Sequence, residues 1–275
     1  MANAASGGRR GLAQSVFQVG GNAGSSFGPL LAAGIIVPYG QRSILWFTLV
    51  ALIAITVLRR VGKWYKNYLL RVHLSKSKTW ESFDNKLPKR KVIIAVIILL
   101  VLIFSKYFYM ASLTSYFTFY LIEKFNVSVQ TSQVYLFIFL FSIAVGTLLG
   151  GPIGDKIGRK YVIWVSILGT APFAIALPYA NLFWTSVLII PIGVILASAF
   201  SAILVYAQEL IPGKLGLVAG LFFGFAFGMG GLGSALIGNL IDHTDIYFVF
   251  HLCSFLPLIG LLTAFLPNIS TTRKK

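Results

Sequence analysis

The chain has 275 residues, of which 57% are hydrophobic and only 11% charged, and its mean hydropathy is +0.84. Soluble globular domains carry roughly 25% charged residues, so this composition excludes that class. The net charge of +16 would suit a nucleic-acid-binding protein, a reading that the placement of the charges removes.

Apolar stretches of about 20 residues, enough to cross a hydrocarbon core roughly 30 Å thick, are predicted at 12–37, 43–60, 92–122, 129–150, 161–180, 182–207, 215–240 and 246–267. None alternates apolar and polar residues as a barrel strand does. The expected class is therefore all-α, with about eight membrane helices. Given these spans, twenty of the 23 Lys and Arg fall on one side: Arg9, Arg10, the 59–91 loop, Lys156, Arg159, Lys160, Lys214 and the tail Arg273, Lys274, Lys275. Opposite connections hold only Arg42 and Lys124, with acidic Asp242 and Asp245. This is the positive-inside distribution, and it predicts an integral membrane protein with both termini cytoplasmic and no nucleic-acid partner.

In the first span Gly20, Gly24 and Gly28 recur at four-residue spacing, as do Gly146, Gly150 and Gly154 in the fourth and Gly216, Gly220, Gly224 and Gly228 in the seventh. Such stripes let another helix backbone approach closely. After the second span the apolar pattern breaks over 59–91, dividing the chain into two spans (1–60), a basic cytoplasmic linker (61–91) and six further spans (92–275). Within the linker Val61, Trp64, Tyr65, Tyr68, Leu69 and Val72 follow helical spacing, with Lys63, Lys66 and Arg71 off that face. The spacing predicts an amphipathic helix at the membrane surface, read either as a connector or as a contact for anionic lipid; 75–88 reads as flexible linker.

Lys106 lies inside the third span, roughly 21 Å from its cytoplasmic edge at about 1.5 Å per residue. A midspan cation requires an aqueous cavity or a partner. Tyr109, Ser112, Tyr116 and Tyr120 are expected near it, with Ser105 and Ser115 alongside. Together they would bind an anionic small molecule such as a phosphonate; the alternative is a structural Lys paired with a carbonyl or phenol. Glu209 ends the sixth span and reads as a proton carrier or an interfacial anchor. His251, in the last span, reads as a proton-coupling group or a packed residue, and Cys253 as a small packing residue. Gly228-Met229-Gly230-Gly231-Leu232-Gly233 spells G-x-G-x-x-G, but a dinucleotide site needs a strand before it, and here it is mid-span. The sequence holds no catalytic triad, metal-ligand cluster or phosphate-binding loop, so no enzyme, metal or cofactor is expected.

Between the fourth and fifth spans stands Gly151-Pro152-Ile153-Gly154-Asp155-Lys156-Ile157-Gly158-Arg159-Lys160. It resembles the G-x-x-x-D-R/K-x-G-R-R/K signature of the major facilitator superfamily at every defined position. The glycines suit a tight turn, Asp155 can accept from N–H groups at a helix N-terminus, and Arg159 and Lys160 can pair with Asp155. The resemblance implies a conformational latch built from Gly151, Gly154, Asp155, Lys156, Gly158, Arg159 and Lys160, meeting the chain near 11–14. Gly24, Gly28 and Pro29 resemble the Gly-Pro motif of the fifth helix in proton-coupled antiporters, although Ala32 and Ala33 stand where that motif prefers glycine. The stretches 6–15, 105–109, 177–184 and 205–212 are similar to fosmidomycin resistance proteins. That family is implied to export fosmidomycin and related compounds across the bacterial inner membrane in exchange for protons. In the superfamily's two six-helix halves, the long basic loop joins the halves. Here two spans precede it, so the chain is expected to hold the fifth to twelfth helices without the first four. It would then be a transporter lacking part of its N-terminal half, or a fragment without transport of its own.

Overall fold

The computed structural model describes residues 10–74 and 88–267, and among these every regular element is helical. Arg9, the linker residues 75–87 and the basic tail 273–275 lie outside the described residues, as do the side chains of Arg10 and of 68–74. The elements are α1 (Arg10–Leu31), α2 (Phe47–Leu74), α3 (Lys89–Phe125), α4 (Val129–Ile157), α5 (Arg159–Leu168), α6 (Ala171–Ala176), α7 (Leu182–Leu210), α8 (Leu215–His243) and α9 (Ile246–Ser254). α1 runs on through a π-helical turn, Ala32–Ile36, and a short turn, Val37–Tyr39. α6 and α9 run on as 3-10 turns, Leu177–Tyr179 and Leu256–Phe265.

Among the described residues, seven helical segments are long and apolar enough to cross a membrane. The expected first span, 12–37, is helical but is not one of them. Gln14, Gln18, Asn22 and a run of Gly and Ser lower its hydropathy. Its polar face is used instead against α4, where Asn22 Nδ2 donates to Thr147 Oγ1 at 2.7 Å. Each turn between spans has a local cause. Asn126 closes α3 in the left-handed region (φ 51), Ser128 caps α4 by accepting from the Thr131 amide, and Asn181 caps α7 by accepting from the Trp184 amide.

Two expectations change. The Gly151–Lys160 segment is no loop: α4 continues through Gly151, Pro152 and Asp155 to Ile157, and the chain reverses only at Gly158 (φ 109). A side chain at that φ would be strained, so a single glycine makes the turn. The amphipathic stretch from Val61 is likewise no separate surface helix, because α2 runs unbroken from Phe47 to Leu74.

The long contacts run α1 along α4, α4 along α7, α5 along α7, and α3 along α8 and the last 3-10 turns. Two apolar clusters fill the bundle. One, around Phe117, Tyr120, Phe139 and Ile192, lies toward the Asn126 end; the other, around Leu99, Ile163, Phe200 and Phe222, lies toward the Asp155 end. A Cβ on Gly146 or Gly150 would collide with the α7 backbone at Val194 or Ser198, so this stripe sets the α4–α7 spacing. The other two stripes differ. Gly20, Gly24 and Gly28 on α1, and Gly216, Gly220, Gly224 and Gly228 on α8, have nothing within 4 Å of a Cβ position among the described residues.

Candidate functional site

At the Asp155 end the chain ties its first helix to the rest. Because the first amides of a helix lack intrahelical acceptors, the start of α1 presents N–H groups. The Gly11 amide donates to Asp155 Oδ1 at 3.3 Å and the Leu12 amide to Oδ2 at 3.2 Å. The approach is close, since a Cβ on Gly11 would lie 2.7 Å from both Asp155 Oδ1 and the Gly151 carbonyl oxygen, and Gly151 in turn faces Gly11 and Ser15. Negative charge at a helix N-terminus is favoured by the partial positive charge there.

Arg159, one turn beyond Asp155 across the Gly158 reversal, joins two carboxylates. Its Nη2 lies 3.4 Å from Asp155 Oδ1, and its Nη1 pairs with Glu209 at the end of α7. Glu209 is only 5% exposed. α1, α4, α5 and α7 are thus linked by one chain of charge-assisted contacts. Lys160 does not join it. Its Nζ donates to the carbonyl oxygens of Leu266 (2.5 Å) and Ala264 (3.3 Å), because the last 3-10 turns end with unpaired carbonyls beside it. Lys156 is exposed and Gly154 sits in ordinary contact with Ala202 and Val162.

Lys106 is buried at the α3–α7 contact, with Nζ 5.5 Å from the Phe200 ring centroid and 5.6 Å from that of Tyr107. It forms no ion pair among the described residues, and the two rings are its stabilising surface. The aromatic series continues from Phe200 to Phe223 (5.2 Å) and on to Phe227 of α8 (6.2 Å), where Phe227 is exposed.

The residues expected around Lys106 do not converge on it. Tyr109 and Tyr120 belong to the cluster at the Asn126 end, where Tyr120 stacks on Phe250 at 4.2 Å. Ser112 donates to the Tyr109 carbonyl oxygen within its own helix. Tyr116 turns to α8 and donates to the Ser234 carbonyl oxygen at 2.7 Å, beside the Ser115–Ser234 hydroxyl pair. At about 100° per residue Tyr109, Tyr116 and Tyr120 stand on the side of α3 near Lys106, but at about 1.5 Å per residue they spread along roughly 21 Å of the helix, into the packing at the Asn126 end and against α8.

Glu209, read as proton carrier or anchor, is in the Arg159 pair. His251 bonds through Nδ1 to the Tyr247 carbonyl oxygen (2.9 Å) and meets the exposed Tyr179 ring edge-on at 4.9 Å. Near the Gly-Pro motif, Gly24 and Gly28 face open space and Pro29 lies inside α1 just before the π-helical turn. Gln130 of α4 donates to the Ala33 carbonyl oxygen of that turn at 3.2 Å. Sequence reasoning also passed over Lys124, whose Nζ donates to the carbonyl oxygens of Pro178 (2.6 Å) and Ala180 (3.0 Å) and to the Tyr120 hydroxyl (2.9 Å). Its signal was a cation among outer connections otherwise poor in basic residues. Among the described residues no group of three or more His, Cys, Asp and Glu is placed to hold a metal ion.

The sequence profile described as Major Facilitator Superfamily matches residues 1–233 and 98–275. The chain is 63% identical to the fosmidomycin resistance protein of Escherichia coli (strain K12), over 98% of this chain and 65% of that protein. It is 41% identical to the uncharacterized MFS-type transporter YfnC of Bacillus subtilis (strain 168), over 98% of this chain and 66% of the relative. A weaker similarity, 25% identity over 57% of this chain and 39% of the relative, reaches a probable sugar efflux transporter of Helicobacter pylori (strain J99). The chain thus spans about two thirds of the length of the fosmidomycin resistance protein and of YfnC.

Proposed function

This chain belongs to the major facilitator superfamily, and we propose that it forms the greater part of a secondary transporter that exports small organic anions of the fosmidomycin kind. Export would be driven by exchange with protons and would proceed by alternating access, with substrate near the membrane midplane. The protein would lie in a bacterial inner membrane with both ends cytoplasmic. The family is one of membrane transporters rather than enzymes.

The observation that carries this reading is the bridge from the α1 N-terminus through Asp155 and Arg159 to Glu209. It holds one end of the bundle shut by a few polar contacts, which is what a reversible closure requires. All four of its partners are side chains or amides in the first or last turn of a helix, so opening needs no break in a helix. Lys106 supplies the second element: a midspan cation without a carboxylate partner among the described residues, bordered by Tyr107 and Phe200. It would take the negative group of the substrate. Tolerance of a drug-sensitive bacterial host to fosmidomycin tests the reading, comparing the protein with its Lys106→Ala variant at equal expression. Raised tolerance that falls in the variant supports it; equal tolerance in both removes Lys106 from the mechanism.

A second reading, that these helices transport nothing until further helices join them, is favoured by the open glycine stripes on α1 and α8. Co-expression with the preceding helices of a close relative separates the two readings. Tolerance that arises only in the pair supports the second.

A further inference from the structure

α2 carries its charge on one side. At 3.6 residues per turn, Arg59, Lys63 and Lys66 stand at i, i+4 and i+7 in one narrow sector, with Arg60 beside it, while Val61, Trp64 and Tyr65 take the remaining sides. All four cations are exposed and none forms an ion pair among the described residues. The sequence has no acidic residue before Glu81, so α2 holds no counter-charge of its own. Like charges three and four apart on a helix repel. Their concentration on one face calls for an external anion.

Depth identifies that anion. The apolar tract 44–58 extends roughly 22 Å at about 1.5 Å per residue, somewhat less than the roughly 30 Å of a hydrocarbon core. The basic face therefore starts at the acyl boundary, where long cationic side chains extend to the head groups. Trp64 lies at the same level, the usual place for an interfacial tryptophan. Among the described residues, no part of the apolar window of α2 is buried against other helices.

We propose that Arg59, Lys63 and Lys66, flanked by Arg60, form a binding site for anionic phospholipid head groups. The site is independent of what the protein transports. It anchors the end of α2 that leads into the 75–87 segment, and the three-cation stripe gives it a preference for charged over zwitterionic lipid that a smooth helix would lack.

The test uses the full chain, purified and delipidated in detergent and offered equal amounts of phosphatidylglycerol and phosphatidylcholine, with retained lipid counted by native mass spectrometry. Phosphatidylglycerol is expected to be retained several-fold over phosphatidylcholine. The triple variant R59Q/K63Q/K66Q is expected to weaken that binding about tenfold or more, whereas K89Q/R90Q/K91Q, which removes the same charge from the start of α3, keeps it. An unchanged preference in the first variant, or equal losses in both, would overturn the proposal in favour of diffuse attraction. Absence of preference in the unmodified chain would also overturn it. If the triple variant aggregates, salt decides: preference by the unmodified chain that survives about 0.5 M salt, where screening extends over only a few ångströms, contradicts a charge-based site.

Discussion

Asp155 accepts hydrogen bonds from the amides of Gly11 and Leu12, residues more than 140 positions away in sequence, and so holds the start of α1 against the end of α4. Asp155→Asn keeps the shape and removes the charge. A carboxylate at a helix N-terminus contributes about 0.3–1 kcal/mol, and up to about 2 kcal/mol where partly buried. The variant is expected to shift the balance between closed and open forms at this end by up to about thirtyfold. Labelling of a cysteine introduced at Ser15, which is buried against Gly151 in the closed arrangement, followed with a membrane-impermeant reagent, reads that shift as faster modification.

Glu209 gives the next prediction. In Glu209→Gln the buried end of α7 loses the charge that pairs with Arg159. Breaking such a pair by removing one partner costs about 3 kcal/mol or more, here at the lower end because Arg159 keeps Asp155. Thermal unfolding in detergent is expected to show a clear loss for E209Q. The double variant R159L/E209L should recover part of it, since Arg159 is then not left beside an uncharged partner and Asp155 keeps the Gly11 and Leu12 amides.

The glycine stripes are predicted to respond in opposite ways. Gly150→Ala places a Cβ against the Ser198 backbone of α7, and overpacking of this kind costs about 1–3 kcal/mol. Gly224→Ala meets nothing within 4 Å among the described residues and gains helix propensity, so its effect on unfolding is expected within about 0.5 kcal/mol. Thermal melts of the two variants side by side check the difference.

Lys124 carries a prediction that the sequence did not suggest. Its ammonium holds the Pro178 and Ala180 carbonyl oxygens that end α6 and lead into α7. Lys124→Met keeps the length and removes three donors, leaving those carbonyls short of partners at about 1–3 kcal/mol. A lowered melting temperature with unchanged helix content, measured by circular dichroism, is the expected result.

What the sequence made legible was set by hydropathy and by one motif. Helix positions followed from apolar length, since a membrane leaves the backbone no other way to satisfy its N–H and C=O groups. The approach of Asp155 to the segment near Gly11 followed from the family resemblance rather than from any local pattern. The surroundings of Lys106 were less legible, for a physical reason. Tyr109, Tyr116 and Tyr120 share a side of α3 with Lys106, but they run roughly 21 Å along it at about 1.5 Å per residue, and which helix covers each of them is set by packing remote in sequence. The Arg159–Glu209 pair joins residues fifty positions apart, and nothing local to either one announces the other. The end of α4 was also hidden, because Gly151 and Pro152 read as breakers while the helix runs on to Gly158.

The most direct measurement is uptake of labelled fosmidomycin into everted membrane vesicles carrying the protein, with an acid interior imposed. The account predicts accumulation above control vesicles, collapse on adding a protonophore, and a marked reduction in the Lys106→Ala variant. Accumulation equal to that of vesicles without the protein would contradict it.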